Sequence, residues 1–280
     1  MKLGITAWTF EALTLNDCLA LCRALGFQRV DIAGFHKRGM NSLEPDEVGR
    51  YPEKYADMLK RALEPHEMTA HDFFPQFGAS LDQRAINHPN PIERQKNRDA
   101  MKGILKFCQL VGIPGISLSP GVNFTEVSFE QNLETSMKEF KHFVELAEGT
   151  GVTIRVEPHM HAIADTPERT FEILNYAPGT KVTLDYAHFM LQYVSMERSH
   201  TLLPYTDHMH VRQSRMGKMQ TRTEEGTIDY VDVIANLKKM NYSGVFSLEY
   251  VNMDWFDCNQ VDTISETLKT TKIIAPWLAK

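Results

Sequence analysis

Thr153-Ile-Arg-Val-Glu157 is the first of four short apolar runs that each end in a potential metal ligand. The other three are Lys181-Val-Thr-Leu-Asp185, His208-Met-His210 and Val245-Phe-Ser-Leu-Glu249. Their last residues are 28, 25 and 39 positions apart, a spacing typical of repeating βα units. If the runs are neighbouring parallel strands, their ends meet at one edge. Two Glu, one Asp and one His at that edge suit a divalent cation.

Alternate side chains within each run differ in polarity, as expected of strands with two different faces. The face of the four end residues also carries Arg155, Thr183, His208 and Ser247. The opposite face is apolar and comprises Ile154, Val156, Val182, Leu184, Met209, Val211, Phe246 and Leu248. This pattern favours a closed barrel with helices outside and a polar mouth over an open sheet that is apolar on both faces.

Eight such units follow one another along the 280 residues, with a mean length of 35. Strands are predicted at 3–8, 29–34, 68–73, 115–119, 153–158, 182–186, 208–212 and 245–250. Helices are predicted at 15–25, 45–66, 91–111, 128–149, 167–176, 196–206, 229–241 and 262–278. The sequence therefore predicts an α/β fold, a single (β/α)8 TIM barrel forming one domain over 1–280, with a doubly wound sheet as the alternative.

The composition and net charge of the chain indicate which kinds of binding partner and cellular location to expect. With 42% hydrophobic and 24% charged residues, the chain is an ordinary globular protein, and its net charge of −6 argues against a nucleic-acid partner. No stretch predicts a membrane span or a leader segment. The four cysteines form no C-x-x-C pair and are interpreted as free thiols, which favours a cytoplasmic location.

Four motifs in chain order resemble the sugar isomerase/epimerase superfamily, the xylose isomerase-like barrels that include ketose 3-epimerases and inosose dehydratases. They are Val156-Glu-Pro-His159, Leu184-Asp-Tyr-Ala-His-Phe189, His208-Met-His-Val211 and Ser247-Leu-Glu-Tyr250. The resemblance implies one divalent metal ion held by Glu157, Asp185, His210 and Glu249. It also implies that Glu157 and Glu249 are the catalytic acid and base.

Apurinic endonucleases are related to this superfamily but fit poorly. They hold three zinc ions with additional histidines, whereas the fourth strand here ends in Ser117-Leu-Ser-Pro120 without one.

Four more residues are candidates for substrate binding. His188 follows Asp185 by three positions, Arg212 shares the inward parity of His210, His71 ends the third strand, and Trp8 ends the first. Each has a structural alternative: a loop histidine, an ion pair or a core aromatic. Long connections at 34–44, 74–90 and 213–227 are candidate substrate walls or lids.

The leading function is a divalent-metal-dependent sugar isomerase or epimerase that abstracts a proton next to a carbonyl through a metal-stabilised enediolate. A lyase is the alternative, either a dehydratase or a keto-glycoside eliminase, because the same first step precedes elimination. A sugar-sensing barrel without catalysis is a third hypothesis. The expected partner is a small carbohydrate or keto-sugar, and the metal is left open among Mn²⁺, Mg²⁺, Co²⁺ and Zn²⁺. Relatives of this kind often pair, so a homo-oligomer is also an expectation.

Overall fold

A computed structural model describes residues 1–278 and shows eight parallel strands in a closed barrel. The strands are β1 (Lys2–Thr6), β2 (Arg29–Phe35), β3 (Thr69–Gln76), β4 (Gly115–Leu118), β5 (Thr153–Val156), β6 (Lys181–Asp185), β7 (Thr206–Val211) and β8 (Val245–Leu248). Strand β8 pairs with β1 in parallel, with Leu248 opposite Ile5. This pairing closes the sheet and confirms the TIM barrel over the doubly wound alternative.

Ten α-helices lie within residues 1–278. They are α1 (Leu15–Ala24), α2 (Pro45–Arg50), α3 (Pro52–Leu63), α4 (Pro91–Val111), α5 (Phe129–Ala147), α6 (Pro167–Tyr176), α7 (Tyr186–Leu191), α8 (Met196–His200), α9 (Tyr230–Lys239) and α10 (Thr263–Leu278). Short 3-10 turns occupy Ala7–Phe10, Glu64–His66, Leu203–Tyr205, Thr223–Glu225 and Trp255–Gln260.

Three helical segments differ from the sequence prediction, and two of the differences occur at prolines. The helix predicted at 45–66 is broken at Tyr51, because the following Pro52 disfavours helical geometry in the residue before it. The helix predicted at 196–206 ends at His200, and Pro204 continues only as a 3-10 turn. Helix α7 was not predicted, and it begins directly at the end of β6.

The predicted starts of α4 and α6 are confirmed. Asn90 and Thr166 each accept a hydrogen bond from the first helical turn, and a proline follows each cap, where its missing N–H is not needed. Gly112 ends α4 with a φ of 90°, a left-handed conformation that glycine adopts without strain.

The apolar faces of the strands pack beneath the helices, as their alternation predicts. Ile154, Val182, Met209 and Phe246 are all buried in one continuous core. The opposite faces point into the barrel, where a polar floor is built around the fully buried Arg155. Its guanidinium contacts Asp72 at 2.7 Å and Asp207 at 2.7 Å. It also fills the space next to Gly115, where any larger residue would collide with it.

None of the helices described for residues 1–278 combines the length and apolarity needed to cross a membrane. The cysteines are all free and buried, as predicted.

Candidate active site

The four potential ligands lie at the carboxyl ends of β5 to β8. Glu157 and Glu249 directly follow β5 and β8, while Asp185 and His210 lie at the ends of β6 and β7. All four are buried. His210 Nδ1 lies 2.6 Å from Glu157 Oε1 and 3.6 Å from Glu249 Oε2. One imidazole nitrogen therefore faces both glutamates, because adjacent strands of a closed barrel bring their ends to one rim.

The donor set fits a divalent cation. Among residues 1–278, three groups of side chains have ligand atoms within 4.8 Å of one another. One, of Asp31, His208 and His210, lies below the rim; at the rim, Glu157, His210 and Glu249 form the first group and Glu157, Asp185 and His188 the second. Glu157 belongs to both rim groups and joins them. Glu249 Oε2 is buried and forms no hydrogen bond with the described residues, although Arg212 Nη2 lies 3.2 Å away, so this oxygen remains available to a bound cation.

Arg212 supplies one positive charge to this acidic site. Its Nη2 donates to Asp185 Oδ2 at 2.5 Å and lies 3.2 Å from Glu249 Oε2. These two carboxylates raise the pKa of the buried guanidinium, in opposition to the burial that lowers it. Arg212 thus lies among three buried carboxylates, those of Glu157, Asp185 and Glu249.

The two glutamates differ electrostatically. Burial raises the pKa of Glu249 to about 7, although the charges of Arg212 and His210 oppose that shift. Burial also acts to raise the pKa of Glu157, but the charge and hydrogen bond of His210 outweigh it and lower the pKa overall. The pKa of His210 is raised despite its burial, because both glutamates favour the imidazolium.

The carboxylate of Asp31 lies on the other side of the His210 ring from the two glutamates. Asp31 Oδ2 lies 2.7 Å from His208 Nε2 and 3.6 Å from His210 Nε2. His210 thus directs Nδ1 toward the glutamates and Nε2 toward Asp31. Asp31 was not among the predicted site residues, although it lies on the predicted second strand, where an acid between Val30 and Ile32 is a usable signal.

A cavity of about 410 Å³ opens above these groups. Glu157, Glu249, His188 and Arg212 line its polar side. Trp8 lines it as well, and its Nε1 donates a 2.7 Å hydrogen bond to Glu249 Oε1. The predicted wall at 74–90 contributes the segment from Phe74 to Leu81 together with Arg84, Ala85 and Ile86.

Of the four predicted substrate contacts, His188, Arg212 and Trp8 line this cavity and His71 does not. The span of β3 and its register explain the difference: the strand runs from Thr69 to Gln76, so His71 lies near its start and not at its end as predicted. Val30 pairs with Ala70 whereas Asp31 pairs with Asp72, so His71 is the extra residue of a bulge. Its ring lies 5.8 Å from that of His208, beside the polar floor. Phe77, Leu81 and Ile86 line the cavity without having been singled out, since an irregular loop has no periodicity from which side-chain directions can be counted.

The fold and this site together define a TIM barrel with an acidic mouth suited to a divalent cation. The sequence profile of the xylose isomerase-like TIM barrel family matches residues 19–274, and the chain belongs to that family. This membership confirms the resemblance found in the motifs. No curated protein matches the chain by sequence.

Solved structures share the whole fold at low identity. D-psicose 3-epimerase from Clostridium cellulolyticum H10, solved with D-tagatose, is 18% identical, with a TM-score of 0.78 over 99% of both chains. The IolI protein with a bound zinc atom is 20% identical, with a TM-score of 0.73 over 100% of this chain and 98% of that one. The 3-keto-D-glucoside 4-epimerase YcjR from E. coli is 14% identical, with a TM-score of 0.72 over 96% and 99%.

Proposed function

We propose that this protein is a divalent-metal-dependent sugar isomerase or epimerase that removes a proton from the carbon next to a carbonyl. One observation carries the proposal: Glu157 and Glu249 line one cavity and face the same His210 nitrogen, with Asp185 joined to Glu249 through Arg212. The solved neighbours named as epimerases of D-psicose and of a 3-keto-D-glucoside, and the zinc-bound IolI protein, support it.

Glu157, Asp185, His210 and Glu249 would hold the metal. When bound, a divalent cation polarises the substrate carbonyl and stabilises the negative charge of the enediolate. Zn²⁺, Mn²⁺, Co²⁺ and Mg²⁺ are the candidates, since mixed carboxylate and imidazole donors accept all four.

The two glutamates act as base and acid in this proposal. One removes the proton and the other returns a proton, to the opposite face for epimerisation or to the neighbouring carbon for isomerisation. His188 and Arg212 contact substrate oxygens. Trp8 fixes the orientation of the Glu249 carboxylate, and its ring with those of Phe35 and Phe74 excludes water from the reacting carbon.

The test is proton–deuterium exchange into a panel of keto-sugars, followed by NMR, with the metal content of the purified protein measured beforehand. We expect exchange that a strong chelator abolishes and that added metal restores. Glu157→Gln should lower the rate at least 10²-fold, the contribution of a positioned general base. Glu139→Gln is the matched control, because Glu139 is equally buried but bonds Arg94 and Arg98 on the outer helices. Full exchange by Glu157→Gln, or exchange that survives chelation, would refute the proposal.

A lyase is the second candidate, because the cavity extends beyond the glutamates and has room for a leaving group. Product mass separates the two: an epimerase conserves it, whereas elimination yields an unsaturated product and a released group. A sugar sensor would bind keto-sugars without exchanging their protons.

A further inference from the structure

The rim of the cavity is divided into two chemically different halves. The ends of β5 to β8 carry the polar groups described above. The ends of β1, β2 and β3 carry three aromatic rings instead, from Trp8, Phe35 and Phe74. Their centroids are 5.4 to 5.9 Å apart, so the rings form one continuous wall that starts at Glu249. The strands follow one another around the barrel in chain order, so β1 to β3 form one side of the rim and β5 to β8 form the other.

The aromatic wall continues into the loop after β3. Phe77, Leu81 and Ile86 line the same cavity, and Met253 lines it from the loop after β8. Phe77 and Ile86 are nearly fully buried, so this side of the cavity is held in place by packing. The apolar surface therefore extends farther from the glutamates than stacking of a single sugar ring requires.

Most polar groups on this half already bond to the protein, and Arg84 Nη2 is a buried donor without a partner in the part of the chain that the structure describes. Gln76 donates to the carbonyl of Gly78, and Arg84 donates to Asp46 and Asn97. Arg38 donates to Glu11 and lies over the ring of Phe35. Among the described residues that line the cavity, Ser80 and Ser119 provide the only side-chain hydroxyls. A second sugar unit would bury several hydroxyls without partners here, which is unfavourable.

We infer, on the basis of the proposed function, that the substrate is a keto-sugar glycoside with an aryl group as its aglycone. The sugar lies between Glu157 and Glu249, and the aryl group occupies an apolar subsite formed by Phe35, Phe74, Phe77, Leu81 and Ile86. A glycosidic bond locks the anomeric carbon as an acetal. The carbonyl that activates the C–H bond must therefore be at another carbon of the sugar ring.

Three probes test this inference: 3-keto-glucose, its methyl β-glycoside and its phenyl β-glycoside. Binding is measured by calorimetry, and proton exchange by NMR. We expect the phenyl glycoside to bind at least about tenfold more tightly than the methyl glycoside, because its ring leaves water for an apolar surface. Leu81→Asn should remove most of this preference while changing the affinity for the methyl glycoside less than about threefold. Leu81 is only partly buried, which limits the effect of the substitution on folding.

Ile92→Asn is the matched control, since Ile92 is 63% exposed on α4 and does not line the cavity. Phe77→Leu provides a second variant that keeps the core apolar, and we expect it to reduce the preference as well. Equal affinities for the phenyl and methyl glycosides, or equal losses for both in Leu81→Asn, would overturn the aryl subsite. Absence of exchange from all three probes would instead overturn the proposed function, and the binding preference would still decide the subsite.

Discussion

The indole nitrogen of Trp8 donates a 2.7 Å hydrogen bond to Oε1 of Glu249, which connects the end of the first strand to the end of the last. Trp8 was predicted as a substrate contact, and the structure gives its ring and its N–H separate roles. The ring begins the aromatic wall, while the N–H fixes one oxygen of a candidate catalytic carboxylate. The other oxygen, Oε2, faces His210 and Arg212.

Trp8→Phe keeps the ring and removes the donor. Hydrogen bonds to charged groups contribute about 1.5–3 kcal/mol, so we expect the rate constant for proton exchange to fall about 10- to 100-fold with little change in KM. Steady-state exchange kinetics provide the measurement. Trp277→Phe makes the same chemical change on the surface of α10 and should leave both constants unaltered. An unchanged rate constant, with or without a rise in KM, would contradict the role of the N–H in fixing Glu249.

Asp31→Asn tests the support beneath His210. Carboxylates that orient a metal-binding imidazole typically account for a 10- to 100-fold effect on metal affinity. We expect the dissociation constant for the metal, measured by competition with a chromogenic chelator, to rise within that range. Asp72→Asn is the control, because Asp72 is buried in the same floor but bonds Arg155. Unchanged affinity in Asp31→Asn, or equal weakening in both variants, would contradict this role.

The pH dependence of stability tests the environment of Glu249. The pKa of Glu249 is raised from 4.5 to about 7 in the folded chain, so the folded state binds more protons than the unfolded state between these values. In protein treated with a strong chelator, the free energy of unfolding should therefore fall as pH rises from 4.5 through 7, by up to about 3 kcal/mol.

Urea denaturation at several pH values measures this fall, with Glu249→Gln for comparison. The substitution should make the fall in that window smaller, because Gln carries no titrating proton, and the raised pKa of Asp72, about 6, accounts for part of what remains. A parallel fall in both proteins would assign the effect to other groups.

The polar floor supplies a test of stability alone. Asp72→Ala leaves the fully buried Arg155 with only the half-exposed Asp207, and breaking a buried pair in this way costs about 3–5 kcal/mol. Asp207→Ala removes the exposed partner and should cost less than about 1 kcal/mol. Urea unfolding curves compare the two, and equal losses would show that the buried contact has no special importance.

Much of the barrel could be predicted because side chains alternate between two faces with a period of two residues along every strand. Strand alternation places Glu157, Asp185, His210 and Glu249 on one face, and barrel closure then brings their strand ends together. Counting fails at the bulge in β3, where one extra residue turns His71 away from the cavity and Asp72 toward Arg155. Such a bulge depends on the pairing of two strands and leaves no signal in either strand alone.

Local competition between interactions limits prediction elsewhere. Asp185 accepts a hydrogen bond from the N–H of Ala187 at 2.8 Å and so caps helix α7, which carries His188 into the site. The segment Tyr186–Leu191 is too short for a clear helical period. The cap by Asp185 stabilises its first turn, and the sequence pattern alone does not show that cap. The side chains of the loop after β3 were unpredictable for a related reason, because an irregular loop has no periodicity from which their directions can be counted.

The two halves of the rim come from different parts of the chain. The four candidate metal ligands, His188 and Arg212 all follow residue 150, whereas Trp8, Phe35, Phe74 and the loop after β3 precede residue 90. If the proposed function holds, we expect most of the substrate specificity to depend on the N-terminal stretch and most of the reactivity on the C-terminal one. Recombining the first third of this chain with the remainder of a relative offers a route to new substrate ranges in which the reacting groups stay as they are.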